Sequence, residues 1–214
     1  MKYKTLFWDL DGTLTDSGPG IMKSAAYALD KLGIEHDAWE KMRYFVGPPL
    51  VVSFGKFGLA GEKNDEAIRL YRERYHETGM WENEPYPGIE ELLQKCVDAG
   101  FHMYVATSKP EKLSKEIIAK FGLDKYFDEI AGATMGHERE TKEDVLRYLM
   151  NQIPEKDSIV MIGDTIYDVE GANKVGLPTI GVRWGYGIEE DMVQAGVKKM
   201  VDTMDELYGY LMGK

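Results

Sequence analysis

An apolar run of strand type, Thr5-Leu-Phe-Trp8, breaks directly into Asp9-Leu-Asp11-Gly12-Thr13. Ser158-Ile-Val-Met-Ile162 is a near-continuous apolar run that ends in Gly163-Asp164, and Phe101-His-Met-Tyr-Val-Ala106 ends in Thr107-Ser108. Runs apolar on both faces are strands buried on both sides, as in a parallel sheet covered by helices. Between them lie stretches of helical period. Ile89, Leu92, Leu93, Cys96 and Val97 recur at such spacing and stop at Gly100, and Leu113, Ile117, Ile118 and Phe121 stop at Gly122. The pattern continues with a short strand near Ile130 and a helix from Thr141 to Met150. A helix at Val169–Val175 and a strand at Pro178–Val182 come next, then a short helix near 189–195, a strand at 197–201 and a last helix from 203. Alternation of this kind predicts an α/β fold, a Rossmann-like parallel sheet with helices on both faces.

Residues 18–82 break the alternation. Ile21, Ala25, Ala28, Leu29 and Leu32 are helically spaced, a second helix is expected over 37–45 before the Val46-Gly47-Pro-Pro49 turn, and a third over 64–78. No convincing strand falls in this stretch. The expected organisation is a core of residues 1–17 and 83–214 with a small helical cap, 18–82, inserted after the first strand.

Ligands of such sheets bind outside the carboxyl ends of the strands, where the polar clusters fall here. On an extended backbone Asp9 and Asp11 project to the same side, and Gly12 permits the sharp departure that follows. Two carboxylates so close repel unless a cation or a shared proton intervenes. Alone, this is also what an acidic turn looks like. Asp164 and Asp168 in Gly163-Asp-Thr-Ile-Tyr-Asp168 add two more carboxylates, and an all-oxygen anionic site suits Mg2+. Asp168, four residues on, is equally consistent with an exposed position near a helix start. Thr107 and Ser108 offer hydroxyl and backbone donors for a phosphate where a helix begins. Lys142 stands at a helix start, against the dipole preference, and so calls for solvent or an anionic partner; Lys109 is its rival.

Together these residues predict phosphoryl transfer. Asp9 attacks phosphorus, and Asp11 protonates the leaving oxygen and then activates water. Mg2+, Lys142 and the hydroxyl and backbone donors neutralise the equatorial oxygens. His36, His76, His102 and His137 show no ligand spacing. With 26 basic against 37 acidic residues and a net charge of −11, nucleic acid and anionic membrane are not expected partners. No membrane-length apolar stretch or signal peptide is read, and the single cysteine, Cys96, fits a buried thiol in a reducing cytoplasm. No sequence feature sets the oligomeric state, monomer or homodimer.

At this point the chain resembles the haloacid dehalogenase-like hydrolase superfamily. Phe7-Trp-Asp-Leu-Asp-Gly-Thr-Leu14, Val105-Ala-Thr-Ser108, Lys142 and Gly163-Asp-Thr-Ile-Tyr-Asp168 are similar to its four ordered motifs. The resemblance implies Asp9 as nucleophile, Asp11 as acid/base, and Gly12, Thr107 or Ser108 as phosphate ligands, with Thr107 the better aligned hydroxyl. Asp9, Asp164 and the Asp11 carbonyl are the implied Mg2+ ligands, with Asp168 behind them. An acid at position 11 favours phosphate esters over haloacids. The cap is similar to the phosphoglycolate phosphatase-like branch. Leu14-Thr-Asp-Ser-Gly-Pro-Gly20, Phe45-Val-Gly-Pro-Pro-Leu50, Thr107-Ser-Lys-Pro110 and Thr141-Lys142 bring it closest to bacterial 5'-nucleotidase-like phosphatases, whereas Asp164-Thr165 leans toward phosphoglycolate phosphatases. Arg43 and Gly47 of the cap, with Lys109, are the expected substrate contacts. A phosphosugar mutase would use the same chemistry. A phospho-Asp receiver would be little more than half this length and would lack an inserted cap.

Overall fold

A computed structural model describes residues 2–134 and 138–213, with the side chain of residue 157 excluded. His137 lies outside the described residues. The chain divides into two compact units, residues 1–15 with 85–214 and residues 16–84.

In chain order the elements are β1 (Thr5–Trp8), β2 (Thr15–Asp16), α1 (Gly18–Lys31), α2 (Leu50–Gly55), α3 (Glu62–Glu77), β3 (Glu84–Pro85), α4 (Ile89–Asp98), β4 (His102–Pro110), α5 (Glu111–Lys120), β5 (Glu129–Ala133), α6 (Lys142–Met150), β6 (Ile159–Gly163), α7 (Ile166–Lys174), β7 (Thr179–Val182), α8 (Glu189–Gln194), β8 (Lys199–Val201) and α9 (Met204–Leu211).

The larger unit carries a six-stranded sheet in the order β5-β4-β1-β6-β7-β8, every pairing parallel. Chain order reverses between β1 and β6, the Rossmann-like arrangement whose crevice holds ligands. β1 shows why both faces are covered. Leu6 and Trp8 pack with Leu92, Leu93, Leu207 and Leu211 of α4 and α9. Phe7 points the other way, against Val145, Leu146 and Leu149 of α6 and Ala172 of α7. The α/β fold read from the sequence is the one observed.

β4 is longer than its apolar run. Its register with β5 slips between Ala106, opposite Ala131, and Pro110, opposite Ala133, so Thr107, Ser108 and Lys109 bulge from the ladder. Bulges of this kind re-aim side chains beside functional sites. Gly132 makes this one possible, since a Cβ there would lie 2.5 Å from the Lys109 carbonyl oxygen. The helix expected at 169–175 begins earlier, at Ile166, because Thr165 and Asp168 form a capping box.

In the smaller unit α1 packs against α3. Phe45, Phe54, Phe57, Tyr71 and Tyr75 form a chain of ring contacts. The expected helix over 37–45 is not formed; two 3-10 turns, Trp39–Lys41 and Arg43–Phe45, stand there instead. Met42 and Phe45 are the fully buried apolar side chains of that stretch, and their three-residue spacing suits the tighter turn. Pro49 does not merely end structure: it caps α2, a helix the sequence reading missed.

Candidate active site

Asp9 follows β1 directly, its N–H donating to the Ile162 carbonyl of β6 (2.9 Å), which fixes it at the point where strand order reverses. The next residues fold back at once. Gly12 takes φ +84°, and Thr13, Leu14 and Thr15 all donate their N–H groups to the Leu10 carbonyl. This tight turn sends the two aspartates to different partners. Asp11 gives both carboxylate oxygens to the Lys109 ammonium, each at 2.8 Å, with the two side chains only 15% and 6% exposed. Asp9 is met by Lys142 instead, whose Nζ lies 2.7 Å from Oδ1.

Lys142 is the first residue of α6, behind the Thr141 cap and its capping box with Asp144. Its ammonium also lies 2.8 Å from Asp168 Oδ1 and donates to the Ala106 carbonyl (2.9 Å). The lysine set against the helix dipole therefore has two anionic partners. Gly171, inside α7, clears its path: a Cβ there would come within 2.6 Å of Lys142 Cγ. Asp168 is not exposed but fully buried, its Oδ2 accepting from the Thr165 N–H and hydroxyl at 3.0 Å each.

Asp164, after β6, accepts from the Thr13 hydroxyl at Oδ1 (3.2 Å) and from the Tyr186 N–H at Oδ2 (2.8 Å). Three glycines crowd it. A Cβ on Gly12 would lie 2.2 Å from Oδ2, one on Gly185 2.3 Å from the side chain, and one on Gly187 1.9 Å from its carbonyl oxygen. Trp184 closes the arrangement by donating Nε1–H to the Thr13 carbonyl (3.1 Å). The sequence alone assigned no role to Thr13, Gly185 or Tyr186, although the Gly-Tyr-Gly spacing after β7 was a visible sign of close backbone approach.

At the bulge, Thr107 is buried and its hydroxyl accepts from the Lys109 N–H (3.2 Å), whereas Ser108 is exposed. Arg43, exposed on its 3-10 turn, and Gly47, at φ +104°, belong to the smaller unit.

Carboxylate oxygens of Asp9, Asp164 and Asp168 all lie within 4.8 Å of one another, all three residues buried. Ionised, they leave two negative charges beyond what the single ammonium of Lys142 balances. Burial, reinforced by Asp168 and only partly offset by Lys142, pushes the Asp9 carboxyl up to about 7. Burial and the charges of Asp168 and Asp9 likewise hold Asp164 well above the usual carboxylate range. Burial alone would lower the Lys142 ammonium, but Asp168 and Asp9 outweigh it and raise it. An oxygen-only cluster short of two positive charges fits a hard divalent cation. Asp9, Asp164 and Asp168 are thus the carboxylates that could hold such an ion, with Asp168 Oδ1 already beside the Lys142 ammonium.

Residues 6–182 match the family model described as haloacid dehalogenase-like hydrolase. The chain is 38% identical over 194 residues to a 5'-nucleotidase of Pseudomonas aeruginosa, covering 90% of this chain and 88% of that protein. It is also 38% identical over 205 residues to Tyrosine-protein kinase PtkA of Mycobacterium tuberculosis, 94% of this chain and 70% of that protein. A crystal structure described as a predicted phosphatase from Clostridium acetobutylicum superposes with a TM-score of 0.94 at 44% identity, over 100% of both chains. With the family match spanning the strand ends that assemble this site, the chain belongs to the haloacid dehalogenase-like hydrolases.

Proposed function

We propose that this hydrolase is an Mg2+-dependent phosphomonoesterase that works through a phosphorylated Asp9. The observation that carries the reading is the pairing of two carboxylates with two lysines at one strand end, Asp9 with Lys142 and Asp11 with Lys109. Asp9 attacks phosphorus, and the phosphorus–oxygen bond to the leaving group breaks with its electron pair going to that oxygen. Asp11 supplies the proton this oxygen takes. Asp11, now a carboxylate, takes a proton from water as the water attacks phosphorus, and the Asp9 carboxylate leaves. Lys142 offsets charge on Asp9 and on the phosphoryl oxygens, and Thr107 and the bulged backbone around Ser108 supply neutral donors. Bound at Asp9 and Asp164, with the Asp11 carbonyl, Mg2+ would withdraw charge from a phosphoryl oxygen.

The substrate is a small phosphorylated metabolite, a nucleoside monophosphate first and 2-phosphoglycolate second. The 5'-nucleotidase relative favours the former. A second reading, phosphoryl transfer to a protein tyrosine, is favoured by the PtkA relative and needs the same Asp9 chemistry with a different acceptor. Cys96 is fully buried and burial pushes its thiol up to about 12, consistent with an inert cysteine in a cytoplasmic enzyme. Among the described residues no helix is long and apolar enough to cross a membrane. A panel of phosphorylated metabolites, assayed with and without Mg2+, tests the proposal. Metal-dependent release of phosphate from nucleoside monophosphates supports it. Metal-independent turnover, or none on any monoester, contradicts it.

A further inference from the structure

We propose that Lys109 is a positioning residue for the second half of the reaction, holding the Asp11 carboxylate in place to activate the water that hydrolyses phosphorylated Asp9. The inference rests on the reading of Asp9 as nucleophile and Asp11 as proton carrier.

Both Asp11 oxygens lie 2.8 Å from one ammonium, so Lys109 binds the carboxylate side-on and fixes the plane of the group. The Lys109 side chain is only 6% exposed, which gives that ammonium a fixed place rather than a solvated one. The backbone enforces this placement. Lys109 is the last residue of the β4 bulge, its N–H is held by the Thr107 hydroxyl, and its carbonyl sits where a Cβ on Gly132 would be 2.5 Å away. Lys142 is already committed to Asp9, Asp168 and the Ala106 carbonyl, so the two lysines have separate duties.

A side-on ammonium complements ionised Asp11 and has nothing to gain from the protonated acid. In the proposed mechanism the carboxylate is the form of Asp11 that takes the proton from water, and the side-on contact fixes its plane. A general base acts through geometry, and a third group that orients it is part of the device. Without Lys109, Asp11 could still lose its proton in the first half. It would present its carboxylate to water less often in the second.

The test uses the full chain with Mg2+ and p-nitrophenyl phosphate, whose leaving group needs little protonation. Steady-state turnover is measured together with the acid-quenched fraction of protein phosphorylated on aspartate. Lys109→Met is expected to lower kcat about tenfold or more, leave KM within about twofold, and raise the phosphorylated fraction several-fold. Lys109→Arg, able to present two N–H groups to one carboxylate, is expected to recover most of kcat and return the fraction toward wild type. A raised KM with unchanged kcat would make Lys109 a substrate contact and overturn the proposal. So would a fall in kcat without accumulation of phosphorylated protein. If the Met variant fails to fold, the Arg variant decides alone: a phosphorylated fraction at the wild-type level with kcat retained supports the proposal, and lost kcat without accumulation overturns it. Absence of phosphorylated aspartate from the wild type as well would instead overturn the underlying mechanism.

Discussion

Gly171 of α7 leaves the space through which Lys142 reaches Asp9: a Cβ on this glycine would stand 2.6 Å from Lys142 Cγ and 2.9 Å from its Cβ. A helix-interior glycine is about 1 kcal/mol less favourable than alanine, so this position gives up helix stability for room. The atoms it faces are the base of the lysine stem, which cannot swing aside as a flexible tip would. Gly171→Ala is therefore expected to lower turnover by tenfold or more without the rise in melting temperature that helix propensity alone would give. Turnover and thermal melts on one preparation check it; unchanged turnover with a raised melting temperature would show that Gly171 does not make room for Lys142.

The pH dependence of stability follows from Asp9. In the folded, metal-free protein its carboxyl holds a proton to about pH 7, against an ordinary value of 3.8. Between those values folding takes up a proton, so stability declines as pH rises and the loss is complete above about 7. Asp164, also raised, acts in the same direction. Glu82 and Glu111, held below the usual value, act oppositely but only in the acid range. Thermal melts in EDTA should give a lower melting temperature at pH 8 than at pH 5.5. Added Mg2+ should raise it more at pH 8, where the cation meets ionised carboxylates. Equal Mg2+ shifts at both pH values would count against the carboxylate site.

Lys142→Met removes the cation paired with two of the three buried carboxylates. Breaking a buried pair by removing one partner costs about 3–5 kcal/mol. Urea unfolding in EDTA should show a loss of that order at pH 8 and a smaller one at pH 5.5, where Asp9 is protonated. A loss independent of pH would mean that the lysine stabilises through packing of its stem.

Gly12→Ala should weaken metal binding. The position takes φ +84°, and its Cβ would meet Asp164 Oδ2 at 2.2 Å. Displacing a ligand's support lowers metal affinity by about 10–100-fold. Titration calorimetry with Mg2+ reads this directly, and wild-type affinity would show that Asp164 does not hold the ion.

The core strands and most helices were legible because their apolar periods are long and unmixed, as in Ile159–Gly163 and Ile89–Asp98. The polar strand ends were legible for the same reason: they interrupt those periods. Partner choice was not. Lys109 and Lys142 both sit at helix starts in the sequence, and only the slip of β4 against β5 gives Asp11 to one and Asp9 to the other. Asp168 was placed behind the metal ligands, but an exposed helix start fitted its position as well, because its burial depends on a lysine from a different helix. Thr13 and Tyr186 were missed because they act on Asp164 from loops distant in sequence. The stretch 37–45 misled because buried residues three apart fit a 3-10 turn as well as a longer helix.

Whether Asp9 carries the phosphoryl group is read by acid-quenched peptide mapping of the enzyme during turnover of p-nitrophenyl phosphate. Phosphate is expected on the peptide containing Asp9, labile to hydroxylamine, with loss of turnover by several orders of magnitude in a folded Asp9→Asn variant. Wild-type turnover in that variant, or phosphate mapped to any other residue, would contradict it.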